Sequence, residues 1–280
     1  LFIFFADHGM DAGQYGEVLT AYYVMMFLAE VPTGMLADRF GTRGMLVLGP
    51  LILAAGFGAM IANPTYAGFL VGEILLGLGH SVLSGPPTVA LYELLQRHGQ
   101  QDRYLAEESR IHARRLYGTG SAFLLGGLVV YFGNANGNAY RLAIMVTCVL
   151  HLLAAFFATR LSNPVRESRA EAPEVFLGHA RLELKKSSVR WLLVYWVVLF
   201  TLLRFPFHNY QPYLKAAGAI EPLLANAVVV GLVFAVLNLV AAPLSACVPK
   251  LVERFGRRAL FWWMPLTLSV SLVVMGIERM

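Results

Sequence analysis

Stretches without a charged side chain recur along the chain at the length of a membrane-spanning helix, which is about 20 residues. Five of them contain no acidic or basic residue: 45–62, 116–132, 142–159, 222–249 and 259–277. Three more carry one or two embedded charges: 14–36, 66–95 and 191–210. Apolar residues do not alternate with polar ones as they would in the strands of a membrane barrel. The pattern therefore predicts eight transmembrane helices, and residues 1–6 resemble the tail of another one.

The composition supports this all-α, multi-pass membrane class. Of the 280 residues, 58% are hydrophobic and 14% are charged, whereas about 25% are charged in a typical soluble domain. Such a chain needs the lipid bilayer as a solvent for its surface. Cys148 and Cys247 both lie inside predicted spans and match no disulfide or metal pattern, so we expect neither a metal nor a cofactor.

The basic residues are concentrated in alternate connections between the spans. All but four of the 22 lysines and arginines lie in or directly beside the loops 38–44, 96–115, 161–190 and 250–258. The positive-inside rule places these loops in the cytoplasm. The pI near 9.3 follows from this topology. We therefore expect no nucleic-acid partner, which would need a basic face on a soluble fold.

A polar segment at residues 161–190 divides the chain into two helix bundles. Its first part, SNPVRESRAEAPE, contains proline and many charges, which is typical of a flexible linker. Its second part, VFLGHARLELKKSSVR, has apolar residues at roughly helical spacing. It forms either a short amphipathic helix on the inner surface or a solvated linker with a fraying helix. The predicted domains are an N-terminal bundle at 1–160, the linker at 161–190 and part of a C-terminal bundle at 191–280.

A short motif occurs once in each half of the chain. The segments GMLADRFGTR at 34–43 and PKLVERFGRR at 249–258 share an acid, arginine, phenylalanine and glycine in that order, and both end in arginine. Each copy follows one predicted span and precedes another on the basic side. A single loop of this kind would be ordinary stop-transfer charge, but two aligned copies indicate an internal repeat.

The first copy resembles the loop signature of the major facilitator superfamily, between the second and third helices of that fold. The second copy resembles the weaker version between helices eight and nine, with glutamate for aspartate and Pro249 for glycine. The matching residues are Gly34, Asp38, Arg39, Gly41 and Arg43, and then Glu253, Arg254, Gly256, Arg257 and Arg258. The phrases EVPTGMLADRFG and SGPPTVALYELL are also similar to a bacterial branch of this superfamily. The resemblance implies two pseudo-symmetric bundles that move a small solute by alternating access, in a monomer of the bacterial inner membrane.

Counting the spans places the chain from the end of helix one to helix nine of a twelve-helix fold, so we expect a sequence that is incomplete at both ends. The resemblance implies that the motif loops act as conformational latches, although a simple stop-transfer loop is the alternative. Glu30, Gly34 and Asp38 follow each other at spacings of four and share one helix face. We expect Gly34 to let another helix approach closely, and Asp38 to accept hydrogen bonds from the positive end of a neighbouring helix. The two arginines of the first copy are expected to bind a cytoplasmic acid, with Glu93 as a candidate.

Ionisable residues inside a membrane are costly and usually functional. In the span 66–95, polar and small residues form one stripe at helical spacing: Glu73, Gly77, His80, Ser81 and Ser84. The superfamily signature that this helix resembles normally has arginine where Glu73 stands. We expect Glu73 to be a coupling or substrate carboxylate, and a position in the outer headgroup zone is the alternative. Glu30 is a second candidate proton site or part of the latch, and His80 is a candidate proton relay. Arg204 either pairs with an acid at the cavity mouth or snorkels outward.

These features predict a secondary active transporter, and most simply a proton-coupled efflux carrier of a small molecule. A proton-coupled uptake symporter and a non-transporting receptor on the same fold are the alternatives. The segment GTGSAFLLGG matches the helix-five signature of drug/proton antiporters only in part, because proline is missing, and close helix packing explains its glycines equally well. The chain contains no phosphate-binding Gly-Lys-Ser/Thr loop, no His-Glu-x-x-His motif and no serine elbow, so we do not expect an enzyme.

Overall fold

The computed structural model describes residues 2–133, 139–161, 178, 182–218 and 227–277, and within these ranges it contains helices and no strand. The helices are α1 (Phe2–Asp7), α2 (Ala12–Ala62), α3 (Tyr66–Ser84), α4 (Pro86–Arg97), α5 (Tyr104–Gly133), α6 (Ala139–Ala158), α7 (Ser187–Gly218), α8 (Ala227–Ala246) and α9 (Val248–Ile277). A single 3₁₀ turn, Gln101–Arg103, precedes α5. The predicted all-α fold is confirmed. Residues 175–177 and 179–181 of the predicted amphipathic linker helix lie outside the described residues, and residues 187–190 form the first turn of α7.

The longest helix, α2, consists of two arms that double back on each other at Gly41. As one straight rod its 51 residues would extend about 77 Å, more than twice the thickness of a bilayer core. The backbone of Gly41 is not helical, and Val18 of the first arm packs in the same core as Met60 of the second. The two arms correspond to the predicted spans 14–36 and 45–62, joined by the first motif loop.

Glycines allow α3 to pack closely against both arms of this hairpin. A Cβ atom at Gly77 would lie 2.4 Å from the carbonyl oxygen of Tyr22 on the first arm. A Cβ atom at Gly79 would lie 3.2 Å from the carbonyl oxygen of Gly49 on the second arm. A larger side chain at either position would push the backbones apart, so glycine sets the close approach of these helices.

Several described segments are long and apolar enough to cross a membrane: Ala12–Ala62, Tyr66–Arg97, Ala139–Ala158 and Ser187–Arg204. Gly231–Ala246 and Val248–Val270 meet the same criterion together, across a bend of 73°. The helix α5, which contains the predicted span 116–132, is not in this set, and its assignment as a span stays a prediction. Large apolar side chains such as Phe157 and Val197 are about two-thirds exposed, at 65% and 66%. Such surfaces require lipid, so the protein is a multi-pass membrane protein.

The chain forms two compact units. Unit 1 comprises Leu1–Tyr104 and Ala122–Ala170, and unit 2 comprises Leu105–Ser121 and Glu171–Met280. In the core of unit 1, the rings of Phe5 and Phe69 stack with centroids 4.3 Å apart. The thiol of Cys148 on α6 lies 3.4 Å from the carbonyl oxygen of Ala54 and joins α6 to the second arm of α2. Unit 2 also includes the first half of α5, and the domain boundaries taken from the sequence stay a prediction.

Within unit 2, α7 contacts α9 where a proline interrupts the hydrogen bonds of α9. Pro265 lies inside α9 and has no N–H group, so the carbonyl oxygen of Phe261, four residues earlier, loses its helical donor. The hydroxyl of Tyr195 on α7 donates to this oxygen at 2.6 Å. The rings of Tyr195 and Phe261 also stack, with centroids 3.8 Å apart. The neighbouring helix therefore supplies the hydrogen bond that proline removes.

Candidate functional site: two motif loops and a carboxylate cavity

The two copies of the motif have the same backbone geometry. Gly41 and Gly256 each break a helix, with φ and ψ of 74° and 165° in the first copy and 78° and 154° in the second. This region of backbone conformation is open essentially to glycine alone. A Cβ atom at either position would meet nothing within 4 Å, so the backbone conformation, and not crowding, requires glycine here. The repeat seen in the sequence therefore extends to the fold of the loop.

A contact between adjacent side chains also recurs in the two copies. The guanidinium carbon of Arg39 lies 5.8 Å from the ring centroid of Phe40. In the second copy, that of Arg254 lies 5.3 Å from the ring centroid of Phe255. Such cation–π contacts contribute about 0.5–1 kcal/mol at exposed sites. The other charged residues of the second copy are also exposed: Lys250, Glu253, Arg257 and Arg258.

One cavity of about 250 Å³ lies beside the first loop in unit 1, and we call it the carboxylate cavity because Glu30 and Asp38 line it. Gly85, the N-cap of α4, also lines it. Asp38 therefore lies near the N-terminal end of a helix, where the helix dipole stabilises an anion. Gly34 lines the same cavity, and a Cβ atom there would meet nothing within 4 Å. The expectation that another helix packs closely against Gly34 is wrong for this structure, because the cavity occupies that space.

A second cavity, of about 150 Å³, lies on the other side of the loop, and we call it the arginine cavity because Arg43 and Arg97 line it. Glu93, the acid expected beside the loop, lines it as well. The guanidinium of Arg43 donates a hydrogen bond to the carbonyl oxygen of Thr159, just after the end of α6. The first motif loop is thus held between α4 and α6.

Hydroxyl groups surround Glu30 in the carboxylate cavity. Ser84 and Ser81 donate to its two carboxylate oxygens at 2.8 Å and 3.2 Å. The hydroxyl of Thr33 lies 2.9 Å from that of Ser81 and extends the network. None of the described residues that line this cavity is a lysine, arginine or histidine. The groups that donate to the Glu30 carboxylate in this network are therefore neutral hydroxyls.

Glu73 has different surroundings from Glu30. Glu73 is only 5% exposed, and it lines neither the carboxylate cavity nor the arginine cavity. It lies in electrostatic range of Tyr15 on the first arm of α2. The predicted polar stripe of α3 is therefore divided, because Glu73 lies in the packed helix contact whereas Ser81 and Ser84 belong to the network of Glu30.

The other two candidate residues make contacts within their own helices, and His80 also contacts the first arm of α2. The Nδ1 atom of His80 lies 2.8 Å from the carbonyl oxygen of Leu76, and its ring meets that of Tyr22 edge-on with centroids 5.7 Å apart. Arg204 is exposed, and its guanidinium carbon lies 5.3 Å from the ring centroid of Phe200. This position of Arg204 favours the snorkelling alternative.

Sequence reasoning missed Thr33, Thr42 and Arg97 as residues of these cavities. Thr33 follows Glu30 by three residues, so helical spacing placed both on one face and was a usable signal. Thr42 and Arg97 had no comparable signal, because their common cavity depends on how the second arm of α2 packs against α4.

Comparison with known proteins agrees with this architecture. Residues 1–278 match the sequence profile of the Major Facilitator Superfamily. Multidrug resistance protein MdtH of Salmonella typhimurium is 33% identical over 138 residues, which are 48% of this chain and 33% of that protein. The same protein of Aeromonas salmonicida is 33% identical over 103 residues, 37% of this chain and 26% of that protein.

The matched part of the chain thus covers only 33% of the length of the first relative and 26% of the length of the second. No solved structure matches it. The profile match covers almost every residue, including both motif loops and both cavities. The chain therefore belongs to the Major Facilitator Superfamily.

Proposed function

We propose that this protein is a proton-coupled secondary carrier that exports a small molecule by alternating access, as a monomer of the bacterial inner membrane. Membership of the superfamily supports transport, and the name of the relatives, multidrug resistance protein, supports export. In this proposal the loops 38–44, 96–115, 161–190 and 250–258 face the cytoplasm, as the distribution of basic residues predicts.

The proposal rests on the surroundings of Glu30, which are an open cavity and two hydroxyl donors. A proton-driven carrier needs a carboxylate whose protonation can follow the access state of the protein. Glu30 lies on a cavity wall with two serine donors, so its charged form has partners and its neutral form keeps a hydrogen bond. Glu73, which is packed between helices, lacks this access in the described structure. Glu30 is therefore the coupling group in this proposal, and Glu73 has a structural role.

The motif loops have a separate role as latches. Asp38 lies beside the start of α4, and Arg43 binds the end of α6. Both interactions depend on the loop geometry set at Gly41. The loops stabilise one access state relative to the other, and each helix-end interaction contributes about 0.3–2 kcal/mol to this preference.

The test compares substitutions of glutamates in the complete protein, after a resistance panel has identified a transported compound. Glu30→Gln should reduce accumulation driven by a pH gradient in inverted vesicles to the level without a gradient, because glutamine cannot carry the proton. Glu17→Gln is the matched control on the same helix, since Glu17 is exposed and accepts a hydrogen bond from Tyr66 at 2.8 Å. It should leave accumulation unchanged.

Glu73→Gln distinguishes the two candidate carboxylates. The proposal expects it to keep gradient-driven accumulation, with at most a change in stability. If Glu73→Gln loses coupling while Glu30→Gln keeps it, the coupling site is Glu73 and the proposal for Glu30 fails.

A further inference from the structure

The arginine cavity has the chemistry of an anion site that the transport proposal does not use. Arg43 from the second arm of α2 and Arg97 from the last turn of α4 bring two positive charges to its wall, against one acid, Glu93. Arg43 is oriented by its hydrogen bond to the carbonyl oxygen of Thr159. A guanidinium has five N–H donors in a planar fork, so one such bond orients the group without using up its donors.

A threonine adds a hydroxyl group to this site. Thr42 is 4% exposed and lines the cavity. Its hydroxyl is a further hydrogen-bond donor on the wall, beside the two arginines.

The rest of the wall is apolar and open. Leu94 and Leu161 line the cavity and are 55% and 48% exposed. The cavity volume of about 150 Å³ suits a phosphate group but not whole acyl chains. A molecule with a phosphate head and apolar chains would satisfy both parts of the wall, with its chains along the exposed leucines.

We propose that the arginine cavity binds a phosphate group carried by an anionic phospholipid, through Arg43, Arg97 and Thr42. In the orientation proposed above, the cavity lies on the cytoplasmic face, where anionic lipids attract clustered basic side chains. Inorganic phosphate has the same head chemistry but would leave the exposed leucines uncovered. Phospholipid is therefore the occupant that fits both the two arginines and the exposed leucines of the wall.

The test measures lipid binding to the complete protein in detergent by native mass spectrometry. Delipidated protein is titrated with phosphatidylglycerol or phosphatidylcholine, each with and without inorganic phosphate. Wild-type protein should bind phosphatidylglycerol more tightly than phosphatidylcholine. Arg97→Gln removes one charge, and Ala90→Phe fills the cavity from its wall while leaving the charges in place. Each should weaken phosphatidylglycerol binding about fivefold.

Two further variants serve as controls. Arg97→Lys keeps the charge and should retain most of the binding. Arg103→Gln removes an exposed arginine outside the cavity and should have no effect. Thermal melting in detergent checks that each variant is folded, and the comparison of the two lipids on the wild-type protein needs no variant at all.

Three outcomes would overturn the proposal. Equal binding of the two lipids by wild-type protein would show that no anion site selects the lipid. Unchanged phosphatidylglycerol binding in folded Arg97→Gln and Ala90→Phe would place the lipid elsewhere. Displacement of phosphatidylglycerol by equimolar inorganic phosphate would identify free phosphate as the ligand.

Discussion

Glu30 and Glu73 are both acids within apolar helices, and they differ in the space beside them. Next to Glu73, α2 and α3 are in close contact, since Gly77 one turn later allows the backbone of Tyr22 to approach. Next to Glu30 the space stays open, because Gly34 and Gly85 line the carboxylate cavity without side chains to fill it. Glycine thus permits close helix packing beside Glu73 and leaves open space beside Glu30.

The positive-φ glycine of each motif loop leads to a stability prediction. Gly41→Ala should destabilise the protein by about 1–3 kcal/mol, because alanine is strained in this backbone conformation whatever the free space. Gly34→Ala is the matched control, since Gly34 is helical and a Cβ atom there meets nothing within 4 Å. Thermal melting in detergent should show a lower Tm for Gly41→Ala and a nearly unchanged Tm for Gly34→Ala. Equal melting temperatures would contradict the assignment of strain to Gly41.

At the scale of helices, the sequence predicted positions better than contacts. The charged motif predicted a turn between the spans 14–36 and 45–62. The structure has this turn at Gly41, between the two arms of α2. The span 66–95 was read as one helix, but it is broken into α3 and α4 at Gly85. Pro86 and Pro87 follow, and neither has the N–H that would continue the helical hydrogen bonds. Contacts such as that of Tyr195 with Phe261 depend on how each helix is rotated against its neighbour, which periodicity alone does not fix.

The contact between α7 and α9 gives a prediction for a double-mutant cycle. Tyr195→Phe should destabilise the protein by about 1–3 kcal/mol, because the carbonyl oxygen of Phe261 then loses its donor. Pro265→Ala restores a helical N–H for that oxygen, so Tyr195→Phe should cost much less in the Pro265→Ala background. The measurement is the free energy of unfolding, or Tm, of the four proteins. The same loss in both backgrounds would show that the hydroxyl does not act by replacing the donor that Pro265 removes.

For the whole molecule, composition and the spacing of charges predicted the membrane class, and the resemblance of the two motif copies predicted the family. Long stretches with few charged residues require lipid around them. The two motif copies resemble the superfamily signature, and the profile match over residues 1–278 confirms the family. The candidate site was harder to predict. Glu30 and Ser84 are 54 positions apart in the sequence, and they meet only because α2 folds back and α3 packs against both arms. The identity of the solute depends on cavity walls assembled from many such contacts.

The central claim is that the protein couples solute export to proton movement through Glu30. The most direct measurement uses proteoliposomes that contain the complete protein and a trapped pH-sensitive dye. An imposed gradient of the transported compound should drive protons in the opposite direction, and Glu30→Gln should abolish this pH change while Glu17→Gln preserves it. Movement of the compound without a pH change, or protons moving in the same direction as the compound, would contradict the account. Binding of the compound without movement of either species would show a receptor instead.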